Sequence, residues 1–161
     1  MRRRLAYTAV LDLPAWWSEE RQSAIAHSDL LAVLIERDPV CLEVAKLLVL
    51  SLARLEHGPQ FVEAVVVNRT ALSCPVTLPD IAAQLGIRVA GVIPPAADVC
   101  LAAQRAHLPV VAFEAGGALA ASFYALAKSL AATMAPLIGN TKNGTQEATT
   151  WAALSPVSTN V

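Results

Sequence analysis

The sequence predicts an α/β fold: a mainly parallel β-sheet with helices on both faces. Short apolar segments, typical of strands that are buried on both sides, alternate along the chain with longer segments of helical periodicity. Strands that are joined through helices pair in parallel by right-handed crossovers. The 161 residues are 55% hydrophobic and only 16% charged. A chain of this length and composition is expected to form one domain with a substantial core.

The first third of the chain is predicted to contain two strands and two helices. The strands cover residues 7–13 (YTAVLDL) and 30–35 (LLAVLI). Between them a helix begins after Ser18, a capping residue followed by two acids, and runs to about His27. A long helix follows over residues 40–55, and it is apolar on almost every side, which predicts that it is well covered.

Two further strands are predicted in the middle of the chain, over residues 61–68 (FVEAVVVN) and 87–93 (IRVAGVI). The first of them is rich in β-branched residues, which favour strands. A short helix lies between the two, beginning near Thr77 and ending at Gly86.

The C-terminal part is predicted to hold a helix over residues 97–106, a short extended piece over 109–113 and a last helix after Gly117. The last helix is supported by six apolar residues that fall on one side at helical spacing: Leu119, Phe123, Leu126, Leu130, Met134 and Leu137. We predict one domain over residues 5–139 and a polar, disordered tail over residues 140–161.

Composition and charge disfavour several classes of function. Twelve Lys and Arg against thirteen Asp and Glu give a net charge of -1, which disfavours direct nucleic-acid binding. Three cysteines without a C-x-x-C motif indicate a reduced, cytoplasmic protein without a zinc site. The apolar stretches 42–55 and 118–138 contain charged residues such as Lys128, so no transmembrane segment and no membrane-surface contact is expected.

Polar residues cluster where the predicted strands end. The ends of the four apolar strands are residues 12–14, 36–39, 68–70 and 94–95. In parallel sheets, ligands bind at the carboxyl ends of the strands. This edge of the sheet is therefore the predicted binding site.

Four segments at these strands together resemble the C-terminal half of the MinD/ParA family of P-loop ATPases. Residues 7–14 (YTAVLDLP) are similar to the Walker B strand and its D-x-P switch II, and residues 28–48 to the next strand and helix. Residues 61–69 end in Asn-Arg, and residues 85–94 (LGIRVAGVIP) match an L-G-x-x-x-x-G-x-I-P element. The resemblance covers residues 5–131. Within the family, the D-L-P sequence followed by Trp17-Ser18 looks most like the CpaE-like branch, whose members act in pilus assembly.

The resemblance implies a role for three residues. Asp12 takes the switch II position, where the family's aspartate acts in catalysis and holds Mg²⁺ indirectly, through the ion's water shell. Asn68 takes the position that meets the adenine edge, and Pro94 marks the loop that closes over the base. Pro95 departs from the family, which more often has an acidic residue there. The implied cofactors are ATP and Mg²⁺, and the implied partner is a second copy of the chain or another protein.

The sequence contains no Walker A motif, G-x-x-x-x-G-K-[ST]. Gly86 and Gly91 have the glycine spacing but are followed by Val92 and Ile93. We therefore expect an incomplete P-loop fold whose phosphate-binding strand would precede residue 1, a chain that is unable to hydrolyse ATP alone. In the family that strand lies between the two strands predicted at 7–13 and 30–35, so its loss would leave them directly paired or separated by a gap, with exposed apolar edges.

Other interpretations remain open at the level of sequence. Asp12 is also compatible with an exposed turn, and Asn68 with a strand end that hydrogen-bonds a turn. A non-catalytic scaffold or interaction module built on the same fold is the alternative function, since the Walker A motif is missing, the charge is low and the apolar content is high. Trp16-Trp17 is compatible both with a partner anchor and with core or cap packing after the first strand. A receiver-like domain is disfavoured because no acidic cluster follows the first strand. The sequence contains no G-x-S-x-G motif, which disfavours a serine hydrolase.

Overall fold

The computed structural model describes residues 8–13, 18–55, 59–69 and 76–140, the last four of these by their backbone alone. Its elements are α1 (Glu19–Ala26), β1 (Leu30–Glu36), α2 (Pro39–Leu52), β2 (Phe61–Val67), α3 (Leu78–Leu85), β3 (Arg88–Ile93), α4 (Ala97–Arg105), α5 (Val110–Phe113) and α6 (Ala118–Asn140). The described strands form one sheet in the order β1-β2-β3, and both pairings are parallel. The predicted fold class is confirmed.

Capping residues fix where three of the helices begin. Ser18 accepts a hydrogen bond from the backbone N–H of Arg21 at the start of α1, and Asp38 accepts from Val40 and Cys41 at the start of α2. Thr77 opens α3 with a reciprocal capping box. Side-chain oxygens are suited to these positions because the first turn of a helix has unpaired N–H groups.

The main core lies on one face of the sheet, under α2 and α3. Alternate residues of a strand point to the same face, and Val33 and Ile35 of β1 pair in register with Ala64 and Val66 of β2. These side chains form a buried cluster with residues of the two helices and the segment before α3: Leu42, Ala45, Val76, Ile81 and Leu85. The predicted coverage of the long helix is therefore only partial, because α2 buries one side and exposes the other.

Helix α6 covers the opposite face, over β3. A Cβ atom placed on Gly91 would lie 3.1 Å from Cδ1 of Leu126, so helix and strand are in close contact at this glycine. By length and composition, Ala118–Pro136 of α6 is apolar enough to cross a membrane, and it is the only such helix in the described part of the chain.

Two predicted extended segments were wrong. Residues 8–13 form no strand, and Val10 is 90% exposed; a strand needs a hydrogen-bonded neighbour, and no described strand pairs with this segment. Residues 110–113 form a helical turn instead, because the carbonyl of Pro109 accepts hydrogen bonds from the N–H groups of Ala112 and Phe113 at 2.9 Å. Local turn formation after Pro109 thus overrides the extended conformation that valines favour. Tyr7, Trp16-Trp17 and the tail beyond Asn140 lie outside the described residues.

Candidate functional site

The register of the sheet places the ends of all three strands in one row. Glu36 pairs with Val67, and Val67 pairs with Ile93. The residues that follow these three therefore emerge side by side at the carboxyl edge. The same edge was predicted from sequence as the binding site.

Asn68 and Pro94 are brought together at this edge. The N–H of Asn68 donates to the carbonyl of Ile93 at 2.9 Å, which extends the pairing of β2 and β3 by one residue. Pro94 follows immediately, and both residues are half-buried. No described residue hydrogen-bonds the side-chain amide of Asn68, so that amide can donate to and accept from a ligand.

An ion pair joins the ends of β1 and β2. Nη1 of Arg69 donates to Oε1 of Glu36 at 2.9 Å, and both side chains are exposed. The guanidinium thus lies beside Glu36, at the end of β1. An arginine in this place offers a planar cation, which stacks on aromatic rings and binds anions.

The charged side chains of the loop after β1 form hydrogen bonds that stabilise the local structure. Oδ1 of Asp38 accepts from the N–H groups of Val40 at 2.9 Å and Cys41 at 3.1 Å, so this carboxylate satisfies the start of α2. Nε of Arg37 donates to the carbonyl of Val76 at 2.8 Å and ties the loop to the segment before α3. Both side chains therefore stabilise the loop that borders the candidate site.

Cys41 lies beside these charges but is not activated by them. Burial raises the pKa of its thiol, and the carboxylates of Asp38 and Glu36 raise that pKa further, against the opposite effect of Arg69. A nucleophilic cysteine needs a lowered pKa, since the thiolate is the reactive form. The thiol is therefore a protonated packing group at neutral pH.

No contact among the described residues places Asp12 near Asn68 and Pro94. It lies exposed in the unpaired segment 8–13, and no hydrogen bond or ion pair links its carboxylate to another described side chain. The roles carried onto Asp12, Asn68 and Pro94 by the resemblance remain predictions. Within the described part of the chain, no three His, Cys, Asp or Glu side chains converge as metal ligands.

Sequence reasoning missed one polar cluster, which lies at the other end of the sheet. The carboxylate of Glu63 on β2 is buried, and it accepts hydrogen bonds from Arg88 of β3 and from Thr133 of α6. A signal was present: a lone acid within an otherwise apolar strand, and an arginine opening the next strand. Because Arg88 and Thr133 satisfy the buried carboxylate and join β2, β3 and α6, the cluster has a structural role.

Comparison with solved structures identifies the fold. A ParA family ATPase from Chlorobium tepidum TLS superposes with a TM-score of 0.61 at 17% sequence identity, covering 70% of this chain and 45% of that one. The MinD cell division protein of Aquifex aeolicus gives a TM-score of 0.58 at 17% identity, covering 71% of this chain and 49% of that one. The chain thus has a MinD/ParA-like fold and spans about half the length of these structures. No protein-family model and no curated protein matches the chain.

Proposed function

We propose that this chain supplies the adenine side of a MinD/ParA-like ATP site. The observation that carries the proposal is the backbone pairing of Asn68 with Ile93, which sets Asn68, whose side-chain amide no described residue hydrogen-bonds, next to Pro94 at the carboxyl edge of a parallel sheet. An amide matches adenine because it both donates and accepts. The likeness to a ParA family ATPase and to MinD supports the choice of ligand.

In this proposal, Asp12 is the switch II residue and orders the water shell of Mg²⁺. Mg²⁺ suits such a role because it retains several waters and takes few direct protein ligands. Asp12 would acquire its position only when the segment around it pairs with another strand, since residues 8–13 have no strand partner in the described structure.

The phosphate side of the site must come from elsewhere, because the 161 residues contain no G-K-[ST] sequence. β1 offers the place for it: among the described strands, β1 is paired on one edge only, by β2. A strand bearing a P-loop, from a longer form of the protein or from a partner chain, would add to that edge. ATP hydrolysis is then expected of the completed assembly and not of these residues alone.

The cellular role we propose is ATP-dependent positioning of cellular machinery or pilus assembly in the cytoplasm. The D-L-P sequence followed by Trp17-Ser18, similar to the CpaE-like branch, supports pilus assembly. The net charge of -1 supports a protein partner, including a second copy, over nucleic acid.

A non-catalytic interaction module is the second candidate. It is favoured by the large apolar side chains that the described structure leaves exposed, Leu34 of β1 among them at 71%. Among the described strands β1 is also paired on one edge only, and an unpaired strand edge pairs readily with another chain. In that case the strand ends would bind no nucleotide.

Nuclear magnetic resonance with adenosine separates the two candidates. Adenosine lacks phosphates, so its binding does not require a P-loop. We expect millimolar adenosine to shift the backbone amide signals of Asn68 and Arg69, guanosine to shift them less, and Asn68→Ala to abolish the response. Gln84→Ala is the matched control, since it removes an exposed amide of α3 and should leave the response unchanged. No response to adenosine, or an equal response to guanosine, would overturn the adenine site and favour the interaction module.

A further inference from the structure

Strand β1 has an apolar face that the described residues leave open at Leu34. Val33 and Ile35 point into the core. Because side chains alternate along a strand, Leu30, Ala32 and Leu34 lie on the opposite face of the sheet. Leu34 is 71% exposed there. We call Leu30, Ala32 and Leu34 the outer face of β1.

Helix α6 lies on the same side of the sheet, but too far from β1 to cover this face. Leu126 of α6 lies over Gly91 of β3. β3 is two strands away from β1, a distance of about 10 Å. A helix with its side chains is about 10–12 Å wide, so α6 extends only about 5–6 Å to either side of its axis. The described residues therefore leave room for a further segment beside α6, above Leu34.

The sequence after α6 contains a segment that suits this place. Residues 141–150 (TKNGTQEATT) are polar, whereas residues 151–154 (WAAL) are apolar. Trp151 and Leu154 are three residues apart, the spacing at which two side chains share one side of a helical turn. A tryptophan buries about 150–250 Å² of mostly apolar surface, enough to cover a leucine. We propose that Trp151 and Leu154 dock on the outer face of β1 of the same chain, with residues 141–150 as the linker.

The direction of α6 determines where this linker begins. Leu126 lies over Gly91, near the end of β3, whereas Ser129 and Thr133 accept hydrogen bonds from Arg88 at its start. Helix α6 thus runs antiparallel to β3 and ends beyond the starts of the strands, about 10 Å past Thr133. A linker that leaves the helix there can turn back along the outer face of β1.

The linker is long enough to bring Trp151 to Leu34. Through the register of the sheet, Leu34 is level with Gly91 and therefore with Leu126. From the end of α6 back to this level is about 21 Å along the helix. From β3 to β1 is about 10 Å across the strands, so the two points are about 23 Å apart in the plane of the sheet. Ten residues span at most about 33 Å, so the linker reaches without full extension.

This contact goes beyond the proposed function and does not depend on it. It requires neither a nucleotide nor a second protein, so adenosine should leave it unchanged. A docked C-terminal segment covers Leu34 in the isolated chain and has to leave before another chain can bind there. Residues 151–154 would thus compete with any partner for the outer face of β1.

Nuclear magnetic resonance of the full 161-residue chain tests the contact. We expect nuclear Overhauser effects between the indole protons of Trp151 and the methyl groups of Leu34, and an upfield shift of those methyl signals by the indole ring. Trp151→Ala should abolish both, and circular dichroism should show that the fold is kept. Thr149→Ala is the matched control and should leave the Leu34 signals unchanged. The methyl groups of Val44, which is 61% exposed on α2, should respond to neither variant.

Three results would overturn the proposal. Leu34 methyl signals that do not respond to Trp151→Ala would show that the C-terminal segment does not cover this face. Signals that shift with Trp16→Ala or Trp17→Ala instead would assign the face to the segment before α1. Overhauser effects that vanish on dilution, or that connect two differently labelled chains in a mixture, would show that Trp151 contacts a second copy and not its own chain.

Discussion

Arg88 on β3 forms hydrogen bonds with the buried carboxylate of Glu63 on β2 through two nitrogen atoms. Nε donates to Oε1 at 2.9 Å, and Nη2 donates to Oε2 at 2.6 Å. Oγ1 of Thr133 on α6 adds a third donor at 2.6 Å. Since Glu63 is only 3% exposed, these donors replace the water that would solvate an exposed carboxylate. The pair thus connects the two strands with the helix that covers them.

Replacing Arg88 with Met should destabilise the chain strongly. A buried charge that loses its partner costs about 3–5 kcal/mol, and because half of the Arg88 side chain is exposed we expect about 1–3 kcal/mol. Urea unfolding followed by circular dichroism gives this free energy. Arg105→Met on α4 is the control and should change it by less than about 0.5 kcal/mol. Equal effects of the two variants would contradict a structural role for the pair.

A side chain at Gly91 should force Leu126 of α6 to shift by a few tenths of an ångström. An alanine there would bring its Cβ to 3.1 Å from Cδ1 of Leu126, closer than ordinary van der Waals contact. We expect Gly91→Ala to lower the free energy of unfolding by about 1–3 kcal/mol, as overpacking does. Gly116→Ala is the control, because a Cβ there meets no atom within 4 Å. The effect should shrink when Leu126→Ala is added, and a fully additive double variant would argue against this contact.

The elements that the sequence predicted correctly are those whose signal is local. The β-branched run of β2 and the Thr77 and Gly86 boundaries of α3 need no knowledge of distant residues. The predicted strand over residues 7–13 failed for the opposite reason. A strand exists only beside a partner strand, and no described strand lies beside Val10.

At the candidate site, too, local features could be predicted from the sequence and long-range contacts could not. That Asn68 and Pro94 end neighbouring strands follows from the parallel order, which the alternation of strands and helices predicts. The ion pair of Arg69 with Glu36 depends on the register of β1 against β2, and the pair of Arg88 with Glu63 depends on where α6 lies. Neither the register nor the helix position is encoded in a short motif.

Asp80 should contribute stability that is lost in acid. Hydrogen bonds from the Thr77 side chain and backbone lower the pKa of this carboxyl from its ordinary 3.8. A pKa that is lower in the folded than in the unfolded state means that the stabilisation is complete above about pH 3.8 and is lost as the pH falls through the folded value. Asp80→Asn should therefore lower the melting temperature at pH 6 and have a smaller effect at pH 2.5, measured by thermal unfolding. Asp98→Asn is the control, and an equal pH dependence in both variants would contradict the capping box.

Cys41 should react slowly with alkylating reagents at neutral pH. Burial and the nearby carboxylates of Asp38 and Glu36 raise its pKa above the ordinary 9.0, so the reactive thiolate is scarce at pH 7. We expect iodoacetamide to modify the exposed Cys100 first, with each site followed separately by peptide mass spectrometry. Glu36→Gln removes one of the opposing charges and leaves Arg69 unpaired beside the thiol, so the reaction at Cys41 should become faster while that at Cys100 stays constant. A rate at Cys41 that does not respond to Glu36→Gln would show that Glu36 does not control this thiol, and would leave burial and Asp38 as the causes of its raised pKa.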